Sequence, residues 1–184
     1  MLLLASPPTA FADLNRKINK MKINKLNREF GKDSINQIEN ANRYDINGAL
    51  ACLQTFYYSF NNKDLDVFRK VWYDNDLVQL NNPLGGITRG TKAIADIYYR
   101  IFNGQAKVCV KFTDIVYYEV NDMIVFAGTE IGEFSTQEEI IPLQIRTSRI
   151  FCFVEEENRW FQIHHHGSID DPELLRKYQN AVSK

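Results

Sequence analysis

The feature that most restricts what this chain can fold into is a change of hydrophobic period near Gly104. Before it, apolar residues recur every three or four positions; after it, they alternate. Ala49, Leu50, Leu53, Phe56, Tyr57 and Phe60 mark a helix with a broad apolar face. Asn61-Asn62-Lys63-Asp64 ends that helix and caps a second one carrying Leu65, Phe68, Val71 and Trp72. Residues 77–80 read as a short strand closed by Asn81-Asn82-Pro83. The stretch 84–90 reads as a turn, because its glycines lack the spacing that cradles phosphate. A third helix runs through Ile94, Ile97, Tyr98, Ile101 and Phe102. Beyond Gly104, Val108, Val110, Phe112, Val116, Tyr118 and Val120 alternate along one strand, with Asp114 a candidate bulge. Strands are predicted over 123–134, 140–155 and 159–168, and a short helix over 170–182. Helices followed by long antiparallel strands mean α+β: a cone of three helices packed in a curved mixed or antiparallel sheet.

Charge divides the same chain differently. Residues 1–43 carry eight Lys/Arg against four Asp/Glu, whereas residues 44–184 carry fourteen against nineteen. The expected organisation is therefore an N-terminal extension, 1–43, and a domain, 44–184. Within the extension, 13–43 reads as a basic helical arm with Leu14, Ile18, Met21, Ile23, Leu26 and Phe30 as its apolar stripe. Residues 1–12 contain Ala10-Phe11-Ala12, a small-x-small pattern, but lack a basic start and are broken by Pro7-Pro8. The protein reads as cytoplasmic, or as exported in the alternative that 1–12 is a signal remnant. A net charge of −1 excludes a general nucleic-acid binder, and no apolar run reaches about 18 residues, so no transmembrane segment is expected. Cys52, Cys109 and Cys152 form neither a disulfide framework nor a zinc ribbon and read as small core residues. Trp72 and Trp160 read as core anchors.

Strand parity selects the polar residues that matter. Arg149 shares parity with Thr147, Phe151 and Phe153, an apolar setting in which a guanidinium needs an anion. That anion is either Glu130 or a ligand carboxylate. Glu130 shares parity with Ile124, Phe126 and Phe134, so it is either a buried general base or the counter-ion of Arg149. Parity puts His164 and His166 on one face with Trp160, Gln162 and Ser168, and His165 on the other. Such an H-x-H pair chelates a transition metal only if a third ligand, Glu130 or Asp114, converges on it. Ile150, Cys152 and Val154 leave an apolar outer sheet face, which predicts a homodimer.

The ordered set of FNNKDLD (residues 60–66), the NNP turn, Ser148-Arg149-Ile150-Phe151 and W-x-x-x-H-x-H-x-S ending at Ser168 resembles the nuclear-transport-factor-2-like superfamily. The likeness covers about residues 46–170 and points to its SnoaL-like branch and to the calcium/calmodulin-dependent kinase II association domain. It implies a cystatin-like roll enclosing a conical pocket, dimerisation through the sheet, no organic cofactor and no metal. Together with the parity readings it gives a candidate ligand-binding set of Arg149, Glu130, His164 and His166. Matched to the steroid-isomerase members, the tyrosine donor position is Phe56 and the aspartate base position is Asn82. Neither can perform that reaction, and Tyr57, about 100° round the helix, is not expected to substitute. The implied function is a small-molecule pocket protein that binds an apolar, possibly acidic ligand or catalyses proton-transfer chemistry on it. The alternative is a non-catalytic homo-oligomeric assembly domain with a vestigial pocket. Whether the protein is an enzyme stays open at this level.

Overall fold

The computed structural model describes residues 21–137 and 139–182. Its helices and strands follow from local chemistry. Helix α1 (Ile46–Asn62) starts where the Asp45 carboxylate accepts the Gly48 N–H at 3.0 Å, and it stops at Lys63, which adopts a left-handed conformation. Asp64 then caps α2 (Leu65–Val71) by accepting the Val67 N–H at 3.0 Å. Helix α3 (Thr91–Asn103) completes the cone, and α4 (Pro172–Val182), capped by Asp171, follows the last strand. Ile38–Asn42 forms a short 3-10 helix.

The helices lie against one seven-stranded mixed sheet. Its strands are β1 (Lys22–Lys25), β2 (Gln79–Asn81), β3 (Thr88–Arg89), β4 (Lys107–Val120), β5 (Met123–Ser135), β6 (Ile140–Val154) and β7 (Arg159–Ser168). They are ordered β1-β4-β5-β6-β7-β2-β3, all antiparallel except the β2–β7 pair. The α+β class and the curved sheet around helices are as the period change predicts. The stretch expected to be only a turn contributes β3, which pairs Arg89 with Gln79 and Thr88 with Leu80.

The N-terminal arm departs from expectation. Its first 20 residues, the candidate signal remnant included, lie outside the described residues. Residues 22–25 are strand rather than helix, because they satisfy the open edge of β4, pairing Lys22 with Glu119 and Lys25 with Val116. Ile23 is 58% exposed, so the apparent helical stripe buries little there. Phe30, by contrast, forms a bridge to Phe112 and is 1% exposed; Ile38 and Ala41 are also core. These three residues pack into the same core as the helices and the sheet.

Two β-bulges decide which side chains face inward. In β4 the register shifts between Thr113 and Val116, with Asp114 at φ 50°. Ile115 is consequently buried while Val116, Tyr118 and Val120 turn outward, against their parity with Phe112. Gly128 lies opposite; a Cβ there would meet the Thr113 carbonyl oxygen at 2.6 Å. In β7, Ile150 faces His164 but Phe151 faces Gln162, so Ile163 is the extra residue. Cys52 is buried, its thiol pushed up to about 12 by burial, whereas Cys109 and Cys152 lie half-exposed on the outer face rather than in the core. Trp72 and Trp160 are both core.

Candidate functional site

The inner sheet face and α1 together bury one ion pair. Arg149 is 1% exposed and Glu130 4%. Arg149 Nη2 donates to Glu130 Oε1 at 2.8 Å, Nη1 to Gln162 Oε1 at 3.1 Å and Nε to Tyr57 Oη at 3.1 Å. Tyr57 in turn donates to Glu130 Oε1 at 2.6 Å. The guanidinium stacks on Phe56, 3.5 Å from its ring centroid. Burial acts against the Arg149 charge, yet Tyr57 and Glu130 beside it hold its pKa above the usual range. Burial pushes Tyr57 well above an ordinary phenol, and the neighbouring Glu130 adds to the shift. The phenol therefore stays protonated and bridges arginine and carboxylate. The expectation that Tyr57 points away from this region fails because α1 is embedded over a broad face, burying both Phe56 and Tyr57.

His165 is the residue that parity misplaced. The extra residue at Ile163 reverses the alternation, so His165 and Gly167 are buried with Trp160 and Gln162 while His164 and His166 are not. His165 is 3% exposed; its Nδ1 lies 3.5 Å from Tyr98 Oη, and its Nε2 has no partner among the described residues. His164 and His166 instead lie on the outer face, paired with Ile150 and Ser148 of β6 and with Gln79 and Asn81 of β2. Of the four residues expected to bind a ligand, His164 and His166 therefore lie on the outer face, while Arg149 and Glu130 are inside. Among the described residues no three His, Cys, Asp or Glu side chains converge to hold a metal ion.

The space between these groups is a cavity of about 20 Å³, lined by Phe56, Asn82, Tyr98, Glu130, Arg149, His165 and Tyr178 among others. Phe56 and Asn82, the two positions matched to the steroid-isomerase donor and base, thus both border the cavity.

Burial, followed by the Arg149 charge and by His164 and His166, pushes His165 well below the usual imidazole range. His164 is lowered in the same sense by burial and by His166. The unfolded chain takes up these protons near pH 6.5 and the folded chain resists them. Stability is therefore complete above about pH 6.5 and falls below it, by up to about 1.4 kcal/mol per pH unit for the buried His165, with a smaller, solvent-screened part from His164. Urea midpoints measured from pH 7 to 5 should fall, and His165→Gln should flatten that slope. A parent midpoint constant over this window would contradict a neutral buried His165.

A curved sheet wrapped on helices, with a polar cluster at the inner floor, defines the class of α+β rolls. Within that class the chain belongs to the SnoaL-like domain family, whose pattern it matches over residues 49–172. No curated protein matches it in sequence. Among solved structures it is similar to a candidate dehydratase of the nuclear-transport-factor-2-like family from Streptomyces avermitilis. That likeness has a TM-score of 0.60 and 16% identity, and covers 67% of this chain and 94% of the other. It is also similar to a candidate calcium/calmodulin-dependent protein kinase type II association domain from Thiobacillus denitrificans. There the TM-score is 0.53 and the identity 22%, with 66% and 94% covered. A cystatin-like protein from Caulobacter vibrioides gives 0.56 and 18%, with 72% and 94% covered. These likenesses concern the fold. No helix among the described residues is long and apolar enough to cross a membrane.

Proposed function

We propose that the protein is a small-molecule pocket protein whose working group is His165, with Arg149, Glu130, Tyr57 and Gln162 as the buried frame around it. The observation that carries this reading is the unpartnered Nε2 of a buried histidine in the wall of the cavity. Buried polar atoms are ordinarily bonded, and leaving one unbonded costs about 1–3 kcal/mol unless a ligand or solvent meets it. The tautomer that donates Nδ1–H to Tyr98 leaves the Nε2 lone pair of this cavity-lining residue unbonded, which is what a general base requires. Binding alone would use the same atom as an acceptor.

In this reading Arg149 and Glu130 are satisfied by each other and shape the floor, rather than offering an open anion site. His164 and His166 have no part in it. The test is a thermal-shift screen of small neutral and acidic compounds on the parent and on His165→Phe. A compound at one hundred times its dissociation constant stabilises the folded chain by about 2.7 kcal/mol. The gain should vanish in His165→Phe. A screen in which nothing stabilises the parent would overturn the reading.

A second reading, a homo-oligomeric assembly domain, is favoured by the outer sheet face. Val116, Val125, Ala127, Ile150, Cys152 and Val154 are half-exposed there, and Met123 and Ile131 are exposed. Such a face fits a second copy of the chain. Sedimentation at micromolar concentration should show a dimer, and Ile150→Lys should shift it to monomer. A monomeric parent would exclude this surface as a homodimer interface. Dimerisation with no ligand found in the screen would leave assembly as the function.

A further inference from the structure

One part of the cavity wall comes from a segment past the family pattern. That pattern ends at Pro172, where α4 begins, and α4 carries Tyr178 into the cavity wall beside Glu130, Arg149 and His165. Tyr178 is 3% exposed, and its ring meets Phe134 edge-on at 5.3 Å between centroids. Among the described residues nothing hydrogen-bonds its hydroxyl. The helix is latched at the cavity rim, where Gln179 Nε2 donates to the carbonyl oxygens of Pro83, which lines the cavity, and Leu84 at 3.1 and 3.3 Å.

About 20 Å³ holds roughly one water molecule. Any organic ligand must therefore displace something. The fused frame of Arg149, Glu130, Tyr57 and Gln162 cannot leave without stranding a buried charge. Tyr178 can leave at less cost, because its phenol forms no hydrogen bond and its helix is held on the rim by one amide latch and by apolar contacts. The charge arithmetic of the floor restricts the ligand too. Among the described residues Arg149 is the buried cation, and Glu130 already matches it at 2.8 Å, so an added carboxylate would arrive unpaired.

We propose that Tyr178 is a built-in occupant of the ligand site, displaced with α4 by a neutral, single-ring, hydroxyl-bearing aromatic of about the size of a tyrosine side chain. This rests on the pocket reading above. Its consequence is that parent affinity is reduced by the small fraction of molecules with α4 released.

The probe is p-cresol, the tyrosine side chain as a free molecule, with 4-methylbenzoate as its charged counterpart. Gln179→Ala loosens the latch without replacing a lining residue of the cavity and should tighten p-cresol binding at least about fivefold, the worth of one of the two hydrogen bonds its amide makes. Tyr178→Ala should tighten it by tenfold or more. In the parent, saturating p-cresol should speed amide hydrogen exchange in residues 172–182 while slowing it in β6 and β7. Gln179→Ala keeps the test open if Tyr178→Ala fails to fold. The occupant reading is overturned if p-cresol binds the parent and Gln179→Ala equally, if α4 exchange does not rise, or if p-cresol binds none of the three proteins. It is overturned in its ligand class if 4-methylbenzoate binds at least as well. Ligands from the screen that depend on His165 but not on Gln179 would remove the plug and leave the pocket standing.

Discussion

Arg149→Gln should be among the most damaging single substitutions in this protein, lowering folding stability by about 3–5 kcal/mol. The cause is what remains rather than what is removed. Glu130, 4% exposed, would keep a carboxylate inside the sheet with only the Tyr57 hydroxyl to bond it. Gln162 Oε1 would lose its donor as well, and Phe56 its stacked cation. For a chain of this size the loss corresponds to a melting temperature lower by roughly 6–20 °C. Adding Glu130→Gln should recover the greater part of it, since no buried charge then remains and two amides can bond each other. A double-mutant cycle in urea measures this coupling directly. A single substitution costing less than about 1 kcal/mol would mean that the pair is open to water and that Arg149 is free to anchor an acidic ligand after all.

A chain beginning at residue 44 should fail to fold stably, although charge and composition mark that position as the start of the domain. It would lack Phe30, Ile38 and Ala41, all buried, and the whole of β1. Phe30 stacks on Tyr57 at 6.3 Å and exchanges backbone hydrogen bonds with Phe112 at 3.1 and 2.8 Å. Arg28 donates to Gln54 at 2.7 Å, the Gln37 N–H to Thr55 at 2.9 Å, and Trp160 Nε1 to the Arg43 carbonyl at 2.9 Å. Deleting a buried Phe costs about 3–5 kcal/mol and a buried Ile about 2–5, against a total stability of about 5–15. Far-UV circular dichroism and urea unfolding of chains beginning at 21 and at 44 make the comparison. Phe30→Ala in the full chain should by itself cost about 3–5 kcal/mol. A cooperative unfolding transition in the chain from 44, with a midpoint near the parent's, would show the arm to be dispensable.

Much of the site was legible in sequence. Arg149 and Glu130 are charged residues at positions whose strand neighbours are apolar, and each duly sits inside beside the other. The exclusion of Phe56 and Asn82 as donor and base needed only their functional groups. Tyr57 was legible in part: its helix was clear, but the width of the buried face depends on how deeply the sheet wraps α1. His165 was missed for a different reason. Three consecutive histidines offer a parity argument two alternatives, and nothing local marks Ile163 as the extra residue. Asp114, a short polar residue that tolerates a left-handed conformation, did mark the other bulge. The helix over 170–182 was legible, but that it brings Tyr178 to the cavity wall is decided by the tertiary packing.

What the sequence determined by itself is the set of elements and their class, because helical and strand periods are properties of neighbouring residues and survive any tertiary arrangement. It also determined which residues would need partners, since the cost of burying a charge depends on residue type and not on fold. What only the tertiary structure decided is facing. A strand's alternation holds until one residue is inserted, and the place of that insertion is set by the ladder of the strand alongside, as Ile150 and Phe151 set it for Gln162, Ile163 and His164. The arm's fate was decided in the same way. Lys22–Lys25 is strand because the edge of β4 offers unpaired backbone groups, and those belong to a segment some ninety residues further along the chain.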